Sequence, residues 1–589
     1  MAIPDQVANV ILLGDSDDGR TYLNTITGAT STTLDTQLST ILRLGFTTAA
    51  FEYLASLVDD DSDFRSPEKP IETVYVPGLP AFIRNRGLQV LNDRPCNYSA
   101  AAANVLTTQY SSARNGVTTR MRQRALFDAT HIVLAYANWC NDNSTAEGPN
   151  RNNLVIRAAL QKYQTDYATE TGATIPATFN GQKYGYLNGD SVLLSDPISF
   201  DVAKNDIFFV RTVVHVPGPT HYVPGPYRGM GGTGSGCIEN GDAVDREDRL
   251  EGLTLTHVTA PGCYGPLTVL AYSPEVKKTV GILGDSIAGG TGDEGSYRNH
   301  GGYLSRVMKN QTDFLMTTAN HDSYIAHFPH VWTARGGYSL ANYADRELIY
   351  KEMRVLEYVS TVISNLGTND HPGDSLANMK ANLLTIAGYF KSRGIKFIQT
   401  TLTPYTTSTD NWATVGNQTA VASESKRVGY NDWLRDTTST GFVAQAGGPS
   451  VAAVWDISLS CEVNSAGVYT RNGGFWPAAT SASDYTGSIT SGASTTSWTD
   501  SALSGTKDTY RGRAVEITSG AADGLLRIIS AESTTKVLSF DTAFGSSPAN
   551  TDTYKIFRPW TIDGIHPSTE GHYRIANYLN TDAFLEMIV

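Results

Sequence analysis

The stretch TVGILGDSIAGGTG, residues 279–292, decides how the rest of the chain is read. An apolar run, Val280 to Leu283, gives way to Gly-Asp-Ser and then to a glycine-rich turn. A short apolar run closed by turn residues reads as a strand buried on both faces. The tripeptide Gly-Asp-Ser also stands at 14–16, 189–191 and 373–375. The copy at 14–16 leads into DDGRTY and has no acid–base partner near it downstream. The copy at 189–191 lies in LNGDSVLLSD, where Gly and Asp serve a turn between two β runs. The copy at 373–375, in HPGDSLANM, stands where Asp or Ser caps the helix that follows. Only Gly284-Asp285-Ser286 closes a strand at the carboxyl edge of a sheet, the edge at which open α/β sheets bind ligands.

Working outward, apolar strands alternate with helical stretches from 277 onward. The strands are KKTVGILGD, EYVSTVISNLG, IKFIQTTLTP and VAAVWDISLS; the helices include SLANMKANLLTIAGYFKSRG and ASESKRVGYNDWLRDTT. This alternation predicts right-handed βαβ units and a doubly wound parallel sheet, an α/β class. It stops near 483. Residues 484–558 are rich in Ser, Thr and Gly and carry short β runs (RAVEITSG, LLRIIS, KVLSFD), which predicts a small all-β module. The segment TIDGIHPSTEGHYRIANYLNTDAFLEMIV then supplies a loop and a last amphipathic helix, so the module is an insertion into the α/β domain, which spans 277–483 and 559–589. Upstream, residues 111–276 show alternating runs such as HIVLAYANW, ISFDV and IFFVRTVVHV between Gly, Pro and Asn, the texture of a β-sandwich. Residues 1–110 mix a helical stretch (TQLSTILRLGFTTAAFEYLASLV) with an acidic break, DDDSDF, and read as a mixed α/β region for attachment or oligomerisation.

Composition excludes several classes. The chain has 589 residues, 40% hydrophobic and 17% charged, with a formal net charge of −13. It has enough apolar content for several cores and no basic stripe for nucleic acid. No run of 18 apolar residues is present, so no membrane span is expected. The start, MAIPDQVANVILL, lacks a basic leader, so export by a signal peptide is not expected. The five cysteines, at 96, 140, 237, 263 and 461, form no CxxC pair. Cys237 and Cys263, which flank a loop-rich stretch, are a candidate disulfide. No histidine has metal-ligand spacing, so neither a metal nor another cofactor is expected.

Three further blocks follow the Gly-Asp-Ser turn in order: ARGGYS (334–339), SNLGTND (364–370) and DGIHPSTEGH (563–572). A loop with Asp563 and His566 three positions apart can bring the carboxylate to one imidazole nitrogen and leave the other facing Ser286. That is the nucleophile, base and orienter logic of acyl transfer. Glycines after a strand and a side-chain amide after the next strand are suitable oxyanion donors. A rival motif, GxGxxG at Gly290, Gly292 and Gly295, is the dinucleotide fingerprint, but six residues separate it from the strand it would have to follow directly.

The ordered set resembles the SGNH (GDSL-type) hydrolase superfamily over about 277–482 and 559–589. The resemblance implies a flavodoxin-like fold and an esterase. It matches Ser286 to the nucleophile, His566 to the base and Asp563 to its orienter. The oxyanion hole would be the Ser286 N–H, the Gly337 N–H (Gly336 being the alternative register) and the Asn369 amide. Asp370, His371 and Tyr338 beside the site, and Tyr222 and Tyr227 in HVPGPTHYVPGPYRGMGGTGSGC, are candidate substrate contacts, with local hydrogen bonding or loop packing as the alternative. Asp285 is expected to make local hydrogen bonds, and His572 to lie on the surface of the last helix. A sandwich ahead of such a hydrolase resembles multidomain carbohydrate esterases with a jelly-roll-like domain, and the insert resembles short β modules of phage virion proteins. Together these imply deacylation of an O-acylated glycan, such as a bacterial surface polysaccharide, by a virion or extracellular protein, with cytoplasm as the alternative location. A homo-oligomer, a trimer if tail-associated, and virion proteins are the implied partners. The alternative functions are an esterase for small or lipid esters and a non-catalytic receptor-binding tail protein.

Overall fold

The computed structural model describes residues 88–91, 114–141, 147–149, 153–162, 174–187, 192–215, 236–241, 264–273, 277–293, 302–308, 328–345, 355–410, 412, 414–479, 485–503, 509–510, 513–540 and 543–578. Gly-Asp-Ser at 14–16 and 189–191, Tyr222, Tyr227, Gly295 and the Cys237–Cys263 pairing all involve positions or side chains outside these residues. The chain divides near 274–275 into two compact units.

The first unit holds two large antiparallel sheets, as the alternating texture predicts, and a two-stranded pair of Trp139–Asn141 and Glu147–Pro149. One runs in the order Leu88–Val90, Thr268–Tyr272, Ala129–Ala137, Ile198–Val202, with Val192–Leu194 also on Ala129–Ala137. The other runs Gly236–Gly241, Arg114–Arg124, Ile207–His215, Leu154–Lys162, Thr174–Pro176, with Gly185–Leu187 also on Leu154–Lys162. Side chains join the sheets: Tyr136 Oη and Thr212 Oγ1 are 2.8 Å apart, and the Phe200 and Phe208 rings lie 5.7 Å apart. Leu88–Val90 pairs with Leu270–Tyr272 and belongs to the sandwich; three residues are too few to show a two-residue period.

The second unit is built on five parallel strands. In chain order they are Val280–Leu283, His330–Trp332, Thr361–Ser364, Lys396–Thr400 and Ala452–Trp455. Across the sheet the order is second, first, third, fourth, fifth. The sheet therefore grows in opposite directions from the first strand, which puts the switch point, the place where sheets of this order bind ligands in a crevice, between the carboxyl ends of the first and third strands. The first three strands are buried along their whole length, as strands covered on both faces must be. The helix Leu376–Lys391 covers part of the sheet. Ser375 caps it by accepting from the Asn378 N–H, and Met379, Leu383, Ile386, Ala387 and Phe390 line its buried side. It ends on Gly394 at φ +66°, the left-handed stop that the Ser-Arg-Gly sequence predicts.

The insertion forms a six-stranded antiparallel sheet between Tyr485 and Phe557. It has its own core of Trp498, Phe540, Phe544, Tyr554 and Ile556. Its last strand, Thr553–Phe557, ends four residues before Thr561, so the module delivers the chain directly into the Asp563–His566 loop.

The last helix, Thr569–Tyr578, packs on the helix Tyr303–Met308. His572 is fully buried between them, which corrects its expected place on the surface. Its Nδ1 accepts the Tyr303 N–H at 3.0 Å and its Nε2 donates to the Thr291 carbonyl at 3.1 Å. The helix is amphipathic, and only its packing partner decides that position 572 faces inward. Nearby, Arg306 forms a two-pronged buried ion pair with Asp293, both contacts at 2.7 Å. The His572 bonds tie the chain just beyond Ser286 to the last helix, and the ion pair ties it to the helix Tyr303–Met308.

Burial pushes the His572 imidazole down to about 4. Between pH 6.5 and about 4 the unfolded chain takes up a proton that the folded chain refuses, so this residue withdraws stability as pH falls through that window. The full shift corresponds to about 3 kcal/mol. Asp285 and Asp370, both pushed up to about 6 by burial, act in the opposite sense. The contribution of His572 is therefore read as a difference. In chemical denaturation, His572→Gln should be about 1–3 kcal/mol less stable than the native chain at pH 7.5, and this gap should close by pH 4.5.

Candidate active site

The site starts from the tightness of the turn after the first strand. Gly284 has no space for a side chain: a Cβ there would overlap Asn365 Oδ1 on one side and the Ala288 Cβ on the other. Its carbonyl accepts the Arg335 N–H at 2.8 Å, which holds it to the loop after the second strand. Asp285 is fully buried, and its Oδ1 accepts from the Ile287 N–H at 2.8 Å and from Asn365 Nδ2 at 2.7 Å. Its expected local role is what these bonds describe. Ser286 is left partly exposed at the crevice, and no acceptor is assigned to its N–H among the described residues.

The loop before the last helix brings an imidazole to that serine. Ser286 Oγ and His566 Nε2 are 2.7 Å apart, although 280 positions separate them. His566 Nδ1 and Asp563 Oδ2 are 2.6 Å apart. The other Asp563 oxygen accepts the N–H groups of Ile565 at 2.9 Å and His566 at 2.8 Å. With an ionised carboxylate on Nδ1, the proton of a neutral ring lies there, and Nε2 is left as the acceptor facing Ser286. Burial alone would raise the Asp563 carboxyl, but the hydrogen bond and charge of His566 and the two backbone donors hold it below its ordinary value.

Gly564 makes this loop possible. It sits at φ +85°, a conformation that suits glycine, and a Cβ there would collide with the Thr406 carbonyl. Its own carbonyl accepts from the Thr406 N–H at 3.0 Å and from Trp476 Nε1 at 2.9 Å. The Trp412 ring also lies against it, on the segment between Thr406–Ser408 and Gln418–Ala420. Sequence reading missed Thr406, Trp412 and Trp476, because nothing local links them to Asp-Gly-Ile-His.

The second and third strands end in loops beside Ser286. In ARGGYS, Gly336 is the closer glycine: a Cβ there would stand 3.9 Å from the Ser286 Cβ. Gly337 takes φ +79° with open space around it. Asn369 is exposed and donates from Nδ2 to the Tyr338 carbonyl at 2.7 Å, a bond that leaves the second N–H of its amide unused.

Three expected substrate contacts are corrected by burial. Asp370 is 3% exposed, and its two oxygens accept the N–H groups of Leu340 and Ala341 at 2.9 and 3.3 Å, capping the helix Leu340–Ala344. The Tyr338 side chain is buried and its Oη accepts from Arg335. His371 is buried with Nδ1 2.9 Å from Ser423 Oγ and its ring edge-on to Tyr405. Burial, with Arg427 and Lys426 nearby, pushes His371 down to about 4 and keeps it neutral. All three are buried and committed to partners within the fold: Asp370 to the helix start, Tyr338 to Arg335 and His371 to Ser423 and Tyr405.

Among the described residues, no cluster of His, Cys, Asp or Glu could hold a metal ion, and no helix is long and apolar enough to cross a membrane. Cys461 is a buried free thiol.

No family profile matches the chain, and no curated protein matches its sequence. The solved structures similar to it include GDSL-type hydrolases and esterases. TesA is 21% identical, with 21% of this chain and 62% of TesA covered and a TM-score of 0.17. A putative lipolytic protein of the G-D-S-L family from Desulfitobacterium hafniense is 12% identical, with 33% and 84% covered and a TM-score of 0.23. Axe2, an acetylxylan esterase from Geobacillus stearothermophilus, is 15% identical, with 31% and 77% covered and a TM-score of 0.21. At these TM-scores the chemistry of the site rests on its own geometry, not on the likeness.

Proposed function

We propose that this chain is a serine carboxylic-ester hydrolase that removes O-acyl groups, acetyl foremost, from a carbohydrate such as a bacterial surface polysaccharide. One observation carries the reading: Ser286 Oγ, His566 Nε2, His566 Nδ1 and Asp563 Oδ2 lie in series, with 2.7 and 2.6 Å between the partners. This is the spacing that lets a base take the nucleophile's proton while a carboxylate fixes its tautomer.

Ser286 Oγ attacks the ester carbonyl and its proton passes to His566 Nε2. The tetrahedral oxyanion is met by the N–H of Ser286, the N–H of Gly337 and the unused N–H of Asn369. As it collapses, the C–O bond to the sugar breaks and His566 returns the proton to the departing alcohol. Water, deprotonated by His566, then attacks the acyl-Ser286 ester. The carboxylic acid leaves and Ser286 recovers its proton. Asp563 stays ionised throughout and stabilises the imidazolium.

The narrower choice of substrate rests on architecture. An antiparallel sandwich, which we read as jelly-roll-like, precedes the hydrolase unit, as in the multidomain carbohydrate esterases the sequence resembles. The module at 484–558 and the virion proteins it resembles favour a tail-associated enzyme, oligomeric in the particle and acting outside the cell. Acetate release from O-acetylated polysaccharide, followed by NMR and set against long-chain esters, tests the glycan assignment. Faster release from the lipid ester would favour a lipase.

Turnover of p-nitrophenyl acetate should fall at least about 10³-fold in Ser286→Ala. An unaffected variant would remove the chemistry and leave a binding protein. Asn369→Ala should lower kcat by roughly 10²–10³-fold with little change in KM, because the donor acts on the oxyanion. Gly564→Ala should displace the base loop and cost roughly 10²-fold in kcat, since catalysis tolerates about 1 Å of misplacement poorly.

A further inference from the structure

We propose that Asn365 is the positioning residue for the nucleophile turn, acting through a two-way amide clamp on Asp285; this rests on the serine-hydrolase reading above. Asn365 follows the third strand directly and is 3% exposed. Its Oδ1 accepts the Asp285 N–H at 3.1 Å, and its Nδ2 donates to Asp285 Oδ1 at 2.7 Å. The same Asp285 oxygen accepts the Ile287 N–H. The amides on either side of Ser286 are thus both committed, directly or through Asp285, to one side chain just past the end of the neighbouring strand. The amide between them, Ser286 N–H, is the proposed oxyanion donor.

At neutral pH a carboxamide meets both demands, since the clamp needs an acceptor and a donor held on one carbon. An ionised carboxylate at 365 would accept from the backbone but face the Asp285 carboxylate with no proton to give. The clamp also spans the crevice. Asn365 lies four residues before Asn369, so the bonds that place the nucleophile also set its register against the loop carrying the amide donor. Gly284, squeezed against Asn365 Oδ1, leaves the turn no room to slide. The charged and titratable groups around Asp285 are His566 on the base loop, Tyr303 on the helix beside it and Asp370 on the third-strand loop. None of these hydrogen-bonds to the Asn365 side chain in the contacts described, so the effect of substitution there is read through Asp285.

Two variants of the full chain test this with p-nitrophenyl acetate, each first checked for a native thermal transition. Asn365→Ala should lower kcat by about 10²-fold with KM within about twofold, and this deficit relative to the native chain should not vary with pH. Asn365→Asp should show a similar deficit at pH 8 that shrinks at least about fivefold by pH 5.5. A proton shared between two facing carboxyls restores the missing donor there. A role in stability alone would move the melting temperature but not this pH-dependent ratio. Unchanged kcat in Asn365→Ala, or a deficit in Asn365→Asp that does not vary with pH, overturns the clamp while Ser286-dependent turnover in the native chain stands. Absence of that turnover in the native chain overturns the hydrolase reading and the clamp with it.

Discussion

The organisation of the second unit depends on how tightly the backbone turns at Gly284. The turn leaves the first strand between two neighbours, bonded through its carbonyl to Arg335 on one side and pressed against Asn365 on the other. Glycine is the residue that fits so narrow a gap. Once the turn is held there, Ser286 stands where the strand order reverses, and the loops of the second and third strands arrive beside it without further devices.

The imidazole that meets Ser286 comes from far away in sequence and needs a separate support. A six-stranded module interrupts the chain just before it, yet that module's last strand feeds straight into the loop. A small cluster of Ala479, Ala514, Phe557 and Ile562 packs module, loop and parallel-sheet domain together. On the far side of the loop, His572 binds the last helix to Thr291 and Tyr303, and the Arg306–Asp293 pair fixes the segment beyond Ser286 to the helix Tyr303–Met308. The insertion therefore adds length between the two halves of the site while its described last strand stays packed against the loop that carries His566.

Much of this was legible in the residues. The βαβ alternation, the inserted module and the sandwich texture follow from periodicity, which depends on local burial. The Ser375 cap and the Gly394 stop are local signals and lie where local rules put them. Ser286, His566 and Asp563 could be named because Gly-Asp-Ser and Asp-Gly-Ile-His carry their own short-range chemistry. His572 was misplaced because an amphipathic helix does not state what it packs on. Asp370, His371 and Tyr338 take the local hydrogen-bonding alternative that their sequence left open, because adjacency to a motif says nothing about which way a side chain turns.

Sequence alone determined the element order, the four Gly-Asp-Ser contexts and the residue types able to do acyl transfer, since these depend on spacing along one strand, helix or loop. Only the tertiary structure decided that Asn365 grips Asp285, that Thr406 and Trp476 hold Gly564, and that a serine and a histidine 280 positions apart come within 2.7 Å. Those contacts join chain segments that share no local period. They exist because the parallel sheet brings the ends of separate strands to one edge, where burial leaves each polar group few other partners.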